Sequence, residues 1–320
     1  MKLHRPMRVP DIPSRVAVTG ACGFFGQYLI NHLVGLESME RIVATDICKS
    51  VFSDNEKIEF HQRDVRDSHN DLYSAHGVEA VFHLAYIVRP PRNPAEARKV
   101  NVDATATLLK TCADLGIRRF IYPSSTTVYG ARAENDHHFS ESETARPLPG
   151  FHYSLNKVAA ETLIKSWEEE TPKAIAIIYR GCPVMGASSR NFILNTLKMK
   201  LLPVPAFKNP PMQFLHIDDQ ISAFELALTA KNSGLYNLAG SDSIDWRSMA
   251  SLFGSILIPV PAPLLKIMTA MTWAMRLQSK SPGSGIDFIS YPWSVDISLA
   301  EKELGWQPKY SSREALMAAK

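Results

Sequence analysis

A tyrosine and a lysine four positions apart stand in the segment YSLNK, residues 153–157. Residues at i and i+4 lie on one face of an α-helix, so their hydroxyl and ammonium groups can act together. A free tyrosine titrates at about pH 10, but a nearby ammonium favours the phenolate and lowers the pKa. Tyr153 could then exchange a proton with a substrate hydroxyl. The spacing also arises by chance, so its meaning depends on the surrounding elements.

The elements that would position this pair alternate along the chain from Arg15. The strand-like segments are RVAVTG, RIVATD, KIEFHQRDV, AVFHLAY, RRFIYPSS and AIAIIYR, and helical patterns run over 24–36, 95–115 and 152–170. The apolar runs lack strict alternation, which suits a parallel sheet buried on both faces. We therefore predict an α/β fold with a doubly wound, Rossmann-type parallel sheet.

The segment TGACGFFG, residues 19–26, joins the first strand to the first helix. Gly20 and Gly23 permit a tight turn and a close approach of the backbone to a pyrophosphate, which the helix N-terminus attracts. Gly26 lets the helix pack close to the strand. We predict that this loop, with Phe24 and Phe25, binds a dinucleotide.

Asp46 ends the second predicted strand, 26 residues beyond Gly20. A carboxylate there can accept hydrogen bonds from both ribose hydroxyls and would repel a 2′-phosphate. We therefore expect NAD rather than NADP as the cofactor, although an Asp that caps the next turn is the structural alternative.

Proline clusters divide the chain after Arg180, where the regular alternation of elements ends. We assign residues 1–14 to a flexible tail, 15–180 to an NAD-binding Rossmann domain and 181–320 mainly to a smaller, irregular substrate lobe. Part of 212–240 is expected to return to the Rossmann domain.

Composition excludes several function classes. The chain of 320 residues has a net charge of +3 without a dense Lys/Arg block, so we expect no nucleic-acid partner. Its four cysteines are far apart, which favours reduced thiols and a cytoplasmic location. His137 and His138 lack a third ligand at metal spacing, and we predict no metal site. Three prolines and Lys266 interrupt the apolar segment 256–277, so we predict no membrane span.

Taken together, the ordered motifs resemble the extended short-chain dehydrogenase/reductases, the superfamily of NAD-dependent epimerases and dehydratases. The motifs are Thr19–Gly26, Asp64–Asp67, His83–Ala85, Asn101–Val102, Ser124–Ser125 before Val128–Gly130, and Tyr153 with Lys157. FLHIDD (214–219) and VDISLAEKELGWQP (295–308) look like later landmarks, so the resemblance runs from about residue 15 to about residue 315.

The resemblance implies further contacts to the cofactor. Asp64 and Val65 would hold the adenine, and Asn101 would brace the active site from the central helix. Leu84, Ala85 and Tyr86 would line the cofactor after the fourth strand, where the superfamily more often has an alanine than Tyr86. The resemblance also implies a homodimer.

The catalytic hydroxyl implied by the resemblance falls on Ser125, with Ser124 and Thr126 as adjacent alternatives. Ser125 would hydrogen-bond the substrate oxygen while Tyr153 moves its proton and Lys157 holds the nicotinamide ribose. The cofactor would carry the hydride. His83 is expected to be a core histidine with satisfied hydrogen bonds.

Two positions differ from those of the nucleotide-sugar enzymes in this superfamily. Gln213 stands where they commonly have an arginine that meets the diphosphate, and Pro183 stands where they tend to have an asparagine. The segment LLKIMTAMTWAMRL (264–277) has a narrow polar stripe and otherwise apolar residues. It could pack within the lobe, form a dimer contact, line an apolar pocket or touch a membrane surface, and it loosely resembles hydroxysteroid dehydrogenases.

Three functions remain open at this point. The first is an NAD-dependent dehydrogenase/reductase that acts on a secondary alcohol or ketone of a small, fairly apolar substrate. The alternative is an epimerase or dehydratase of a nucleotide sugar with tightly bound NAD. The third is a non-catalytic dinucleotide-binding protein, which the presence of Ser125, Tyr153 and Lys157 disfavours.

Overall fold

The computed structural model describes residues 12–90, 92–189, 192–278 and 281–320. Of the tail predicted over residues 1–14, residues 1–11 lie outside the described residues.

Strands form one large sheet and two small ribbons. The strands are β1 (Arg15–Thr19), β2 (Arg41–Asp46), β3 (Ile58–Gln62), β4 (Ala80–His83), β5 (Arg119–Ser125), β6 (Ile175–Gly181), β7 (Val184–Met185), β8 (Leu201–Pro205), β9 (Leu215–His216), β10 (Gly234–Leu238) and β11 (Ile256–Val260). The large sheet has seven parallel strands in the order β10-β6-β5-β4-β1-β2-β3. This confirms the predicted doubly wound sheet. The order reverses between β1 and β4, which opens a crevice at their carboxyl ends, where such folds bind ligands.

Helices cover both faces of this sheet and also build the lobe. They are α1 (Phe24–Val34), α2 (Asn70–His76), α3 (Pro94–Arg98), α4 (Ala104–Leu115), α5 (His152–Glu170), α6 (Phe192–Leu197), α7 (Ile217–Thr229), α8 (Trp246–Phe253), α9 (Ala262–Ala274), α10 (Ser298–Leu304) and α11 (Ser312–Ala318). One apolar core lies between the sheet and the pair α1 and α7, and a second lies between the sheet and α2, α4 and α5.

Strand β1 shows why the apolar runs lack alternation. Val16 and Val18 face the core beside α1, whereas Ala17 faces the core beside α4 and α5, and all three are fully buried. Because both faces of the strand are covered by helices, every position favours an apolar residue.

The helix predicted over 95–115 is divided in the structure. A π-helical turn, Lys99–Asp103, separates α3 from α4. Such turns occur mostly as single insertions at functional sites. Here the turn carries Asn101, whose contacts are described below.

A buried aspartate connects the two C-terminal motifs, residues 214–219 and 295–308, by hydrogen bonds. Asp219, on α7, accepts hydrogen bonds from the backbone N–H groups of Lys309 and Tyr310 at 2.9 and 3.2 Å. The indole N–H of Trp306 donates to the carbonyl oxygen of Asp219 at 3.0 Å. The segments 214–219 and 295–308 therefore serve one structural purpose, which is to fix the chain end against the Rossmann core.

Phe224 is a sensitive probe of the core beside α1 and α7. Its ring is fully buried and lies 5.8–6.1 Å from the rings of Phe25, Phe82 and Tyr179. We expect Phe224→Ala to lower the free energy of unfolding by about 3–5 kcal/mol, because it leaves a cavity. Phe207→Ala, at a fully exposed ring, should change it by less than about 0.5 kcal/mol. Urea denaturation of both variants measures this, and equal losses would contradict the packing described here.

Candidate active site

The glycine loop is shaped by close backbone contacts. Gly20 has a φ angle of +68°, and a Cβ atom there would lie 2.6 Å from the backbone nitrogen of Ala85. A Cβ atom at Gly26 would clash with the carbonyl oxygens of Gly20 and Ala21. Within the described chain, no side chain caps the N-terminus of α1. The loop thus joins β1, β4 and a free helix N-terminus, and these features fit a pyrophosphate.

Asp46 faces this loop from the end of β2. Its carboxylate oxygens accept hydrogen bonds from the backbone N–H groups of Cys22, at 2.9 Å, and Cys48, at 3.1 Å. The carboxylate is thereby fixed beside the loop, where the adenosine ribose is expected.

Asp64 follows β3 and pairs with a neighbouring cation. Both of its carboxylate oxygens accept from the Arg66 guanidinium, at 3.0 and 2.6 Å, which lowers the pKa of Asp64. An ionised carboxylate has about four lone-pair sites, so a further donor such as an adenine amino group can still be accepted. The neighbouring Val65 is buried in the core.

The segment Leu84–Tyr86 lies just beyond the end of β4. Leu84 and Ala85 donate backbone hydrogen bonds to Thr19 at the end of β1, at 3.2 Å each. Asn101 braces the following residue, because its side chain both accepts from and donates to the backbone of Ile87, at 2.7 and 3.2 Å. The loop after β4 is therefore held on both sides of Tyr86.

Lys157 is buried at the centre of the site. Its ammonium donates to the carbonyl oxygen of Pro123 at 2.5 Å and lies 3.7 and 4.4 Å from the ring centroids of Tyr86 and Tyr122. Burial lowers the pKa of Lys157 from 10.5 to about 7, partly opposed by the charge of Glu161. The aromatic rings favour the cationic form through their quadrupoles.

Tyr153 lies one helical turn before Lys157. Its ring is in edge contact with Tyr86 at 5.4 Å, and the Tyr86 hydroxyl donates to the Tyr153 carbonyl at 2.8 Å. Burial raises the pKa of Tyr153, and a hydrogen bond with Ser125 acts in the opposite direction. The structure thus brings together the three residues predicted to be catalytic, at the ends of β5 and the start of α5.

Ser124 and Ser125 differ in their partners. The Ser124 hydroxyl donates to the buried carboxylate of Glu161, whereas Ser125 faces Tyr153 and accepts from Thr127. Thr126 is fully buried against β6. These contacts favour Ser125 over both neighbours as the residue that meets a substrate oxygen.

Sequence reasoning missed the ion pair beneath this site. Glu161 forms hydrogen bonds of 3.1 and 2.6 Å with Arg180, and both side chains are 4% exposed. Tyr153, Lys157 and Glu161 follow at i, i+4 and i+8, so the helical face that predicted the first two also indicated the third. Helical spacing could not indicate Tyr122 or the carbonyl of Pro123, because these two residues lie on β5 and contact Lys157 from there.

His83 has both ring nitrogens occupied, by the hydroxyls of Thr19 and Thr105 at 2.9 Å each. Burial lowers its pKa to about 3, so the ring is neutral. His83 therefore links β1, β4 and α4 as a structural residue.

Three metal-binding side chains meet on the outer edge of the sheet, where Glu59, His61 and His76 offer ligand atoms within 4.8 Å of one another. The guanidinium of Arg41 lies 3.5 Å from the Glu59 carboxylate, and its charge opposes that of a cation. We assign no metal to this cluster.

The two positions that differ from nucleotide-sugar enzymes are engaged in the fold. The Gln213 side chain accepts from the backbone N–H of Val295 at 2.8 Å and donates to its carbonyl at 3.2 Å. The carbonyl of Pro183 accepts from Leu215 at 3.1 Å. Gln213 is therefore held in place by the backbone and is not free to bind a phosphate.

Residues 16–239 match the model of the NAD dependent epimerase/dehydratase family. This match covers more than half of the chain and includes the glycine loop and the Ser125, Tyr153 and Lys157 site. The chain belongs to this family. It is accordingly a member of the extended short-chain dehydrogenase/reductases and an enzyme class that uses a nicotinamide dinucleotide.

Individual relatives agree with this membership. An uncharacterised protein of Mycobacterium tuberculosis is 26% identical over 96% of this chain and 83% of its own length. A trifunctional UDP-glucose 4,6-dehydratase/epimerase/reductase of Arabidopsis thaliana is 28% identical over 71% of this chain and 37% of its own length. The crystal structure of UDP-glucose 4-epimerase from Thermotoga maritima, with UDP-glucose, has a TM-score of 0.76 at 20% identity and covers 95% and 97% of the two chains. The last likeness shows the shared fold.

The ion pair beneath the site gives a test of its structural role. We expect Glu161→Gln to lower the free energy of unfolding by about 3–5 kcal/mol, because it leaves the Arg180 charge buried without its partner. Glu169→Gln, at an exposed position of the same helix, is the matched control and should have little effect. Thermal and urea unfolding measure the stability of both variants. An unchanged free energy of unfolding in Glu161→Gln would show that the ion pair is dispensable.

Lys157 gives a pH-dependent prediction. Its pKa is about 7 in the folded protein and 10.5 in an unperturbed lysine, so between these values the unfolded chain binds more protons than the folded one. The contribution of Lys157 to the free energy of unfolding therefore rises with pH, by up to about 1.4 kcal/mol per pH unit. Lys157→Met has no proton to lose. Urea titrations from pH 7 to pH 10 should show wild type gaining stability relative to the variant, and parallel curves would contradict the low pKa.

Proposed function

We propose that the protein is an NAD-dependent epimerase that inverts a hydroxyl-bearing carbon of a nucleotide sugar. The observation that carries the proposal is the assembly of Ser125, Tyr153 and Lys157 beside the glycine loop, in a chain of the epimerase/dehydratase family. Of the hypotheses drawn from the sequence, the family and its relatives support this alternative better than the dehydrogenase of an apolar alcohol.

Residues of the Rossmann domain would hold the cofactor. Gly20, Gly23, Gly26 and the N-terminus of α1 would bind the pyrophosphate, and Asp46 would accept the ribose hydroxyls and disfavour NADP. When bound, NAD would supply reversible hydride transfer at the substrate carbon. We also propose that residues 15–180, with β10 from the region 212–240, form the cofactor-binding domain and that 181–320 mainly form the substrate lobe.

Residues of the protein itself would accept the proton of the substrate hydroxyl and return it. Tyr153 would accept it from the substrate hydroxyl and later return it, while Ser125 hydrogen-bonds the same oxygen and fixes its orientation. The Lys157 ammonium, 5.9 Å from the Tyr153 ring centroid, would favour the phenolate of Tyr153 by Coulomb attraction.

Epimerisation suits this site better than loss of water. Dehydration needs an acid that protonates the departing hydroxyl. The segments 119–129 and 152–160 contain no Asp or Glu, and Glu161 is already bound by Ser124 and Arg180. These two segments therefore supply Tyr153 for a reversible oxidation but no carboxylic acid that could protonate a departing hydroxyl.

A net dehydrogenase is the second candidate. Gln213 is bound to the backbone of Val295 and Pro183 offers no side-chain donor, so the lobe lacks two contacts that a diphosphate commonly receives. A nucleotide sugar would have to be held by other residues of the lobe, whereas a substrate without phosphates would not need them.

The two candidates make opposite predictions about cofactor exchange. An epimerase should interconvert UDP-glucose and UDP-galactose without added cofactor, and mass spectrometry of its denatured extract should show NAD. Tyr153→Phe should lower the rate at least about 10²-fold while NAD is retained, because only the proton transfer is removed. Ser125→Ala should lower the rate and Ser124→Ala should mainly lower stability. Strict dependence on added NAD with net NADH formation from an alcohol would overturn the epimerase proposal.

A further inference from the structure

The C-terminal lobe carries most of the exposed large apolar side chains of the described chain. Of seventeen such side chains, eleven lie between Met199 and Leu277. We call the following ten the lobe surface: Leu201, Phe207, Ile256, Ile258, Leu264, Ile267, Met268, Met271, Met275 and Leu277.

Helix α9 presents its apolar side to solvent. Among its 13 residues Leu265 is the one classed as buried, whereas Leu264, Ile267, Met268 and Met271 are 49–57% exposed. These four residues follow the i, i+3, i+4, i+7 spacing of a single helical face. Of the alternatives that the sequence left open for this segment, packing within the lobe describes Leu265 but not these four side chains.

The polar residues of α9 lie only partly against the protein, because Thr269 and Thr272 are half-buried whereas Lys266 and Arg276 are exposed. Lys266 pairs with Asp287 at 2.7 Å, and the hydroxyls of Thr269 and Thr272 donate to carbonyls of their own helix at 2.8 and 2.9 Å. Gly283, in the neighbouring turn, packs against Ala270 so closely that a Cβ atom there would lie 3.0 Å from the Ala270 side chain. The helix therefore exposes most of its large apolar side chains, which the amphipathic helix of a water-soluble protein usually buries.

The ribbon of β8 and β11 extends the lobe surface. Its parallel register places Leu201 beside Ile256 and Pro203 beside Ile258, with all four side chains exposed. Ala206 donates to the carbonyl of Val260 at 2.7 Å, so the fully exposed Phe207 follows at the point where β11 leads into α9.

The charged residues on β8, β11, α9 and their flanks are cations, and one of them, Lys266, pairs with Asp287. The sequence has no Asp or Glu between Glu170 and Asp218, or between Asp245 and Asp287. These two stretches supply β8, β11 and α9, and they include Lys198, Lys200, Lys208, Arg247, Lys266 and Arg276. A cationic rim around an apolar face matches an anionic lipid bilayer, whereas a second copy of the same face would be repelled.

We propose that the lobe surface binds the face of an anionic lipid bilayer, with α9 lying in the plane of the interface. No helix among the described residues is long and apolar enough to cross a membrane. At about 1.5 Å per residue, the 13 residues of α9 reach about 20 Å, well below the hydrocarbon thickness of about 30 Å. Its apolar side chains would enter the headgroup boundary while the cations meet lipid phosphates.

The lobe surface is coupled to the catalytic residues by two contacts. The Arg92 guanidinium, on the loop after β4, lies 3.9 Å from the Trp273 ring centroid and donates to the Trp273 and Gln278 carbonyls at 2.5 and 2.7 Å. On the other side, Phe288 packs against Phe151, which contacts Tyr153. Binding to a bilayer would therefore place the loop that begins at Tyr86 beside the membrane.

Vesicle flotation tests this inference independently of the enzyme's activity. The full chain is mixed with phosphatidylcholine vesicles, with or without phosphatidylglycerol, and centrifuged through a density gradient. We expect flotation with the anionic vesicles and a smaller bound fraction at high salt, because the cationic contribution is screened. Ile267→Glu/Met271→Glu should reduce the bound fraction at least tenfold, because two apolar side chains that enter the lipid become anions.

Met317→Glu is the matched control, since Met317 is 46% exposed on α11, outside the lobe surface. It should float like wild type, and unfolding temperatures should show that all variants are folded. The proposal is overturned if wild type floats with neither vesicle or if the double variant floats equally well. It is also overturned if sedimentation equilibrium shows a dimer that the double variant converts to monomer without any vesicle binding, because the occupant would then be a second copy.

Discussion

The burial of the Lys157 ammonium is the constraint on which the catalytic half of the molecule depends. An isolated buried charge is costly, and its cost is partly offset here by the carbonyl of Pro123 and the faces of Tyr86 and Tyr122. These groups come from β5 and from the loop after β4, while Lys157 stands on α5. The ammonium is therefore stabilised only when three elements have their native positions, and the same positions bring Tyr153 and Ser125 together.

The elements around this charge are held by further buried polar contacts. Glu161 and Arg180 join α5 to β6, and His83 joins β1 to α4 through two threonine hydroxyls. Each bond satisfies a polar group that would otherwise be unpaired in the interior. The glycine loop approaches Ala85 so closely that the proposed cofactor loop and the loop after β4 border one crevice at the carboxyl ends of β1 and β4.

The lobe is held in place by polar side chains that bind the backbone of the C-terminal segment. Gln213 and Asp219 use their polar atoms on the backbone of the C-terminal segment, so they fix the lobe and leave its surface free. Helix α9 exposes its apolar face, while Thr269 and Thr272 of its polar stripe are half-buried. In the proposed function the Rossmann half would move the proton and the hydride, whereas the lobe would select the substrate and, in the proposed docking, contact the bilayer.

The sequence alone predicted the doubly wound sheet, the glycine loop and the bounds of α5, because strand runs, helical spacing and glycine turns depend on neighbouring residues. It also placed Tyr153 and Lys157 on one helical face. The resemblance already favoured Ser125, but only the tertiary structure showed that Ser124 is bound to Glu161, that Tyr86, Tyr122 and Pro123 contact Lys157, and that a π-helical turn carries Asn101. The tertiary structure alone also showed which side of helix α9 is exposed to water. These features depend on contacts between residues far apart in the chain, and such contacts leave no periodic pattern in the sequence.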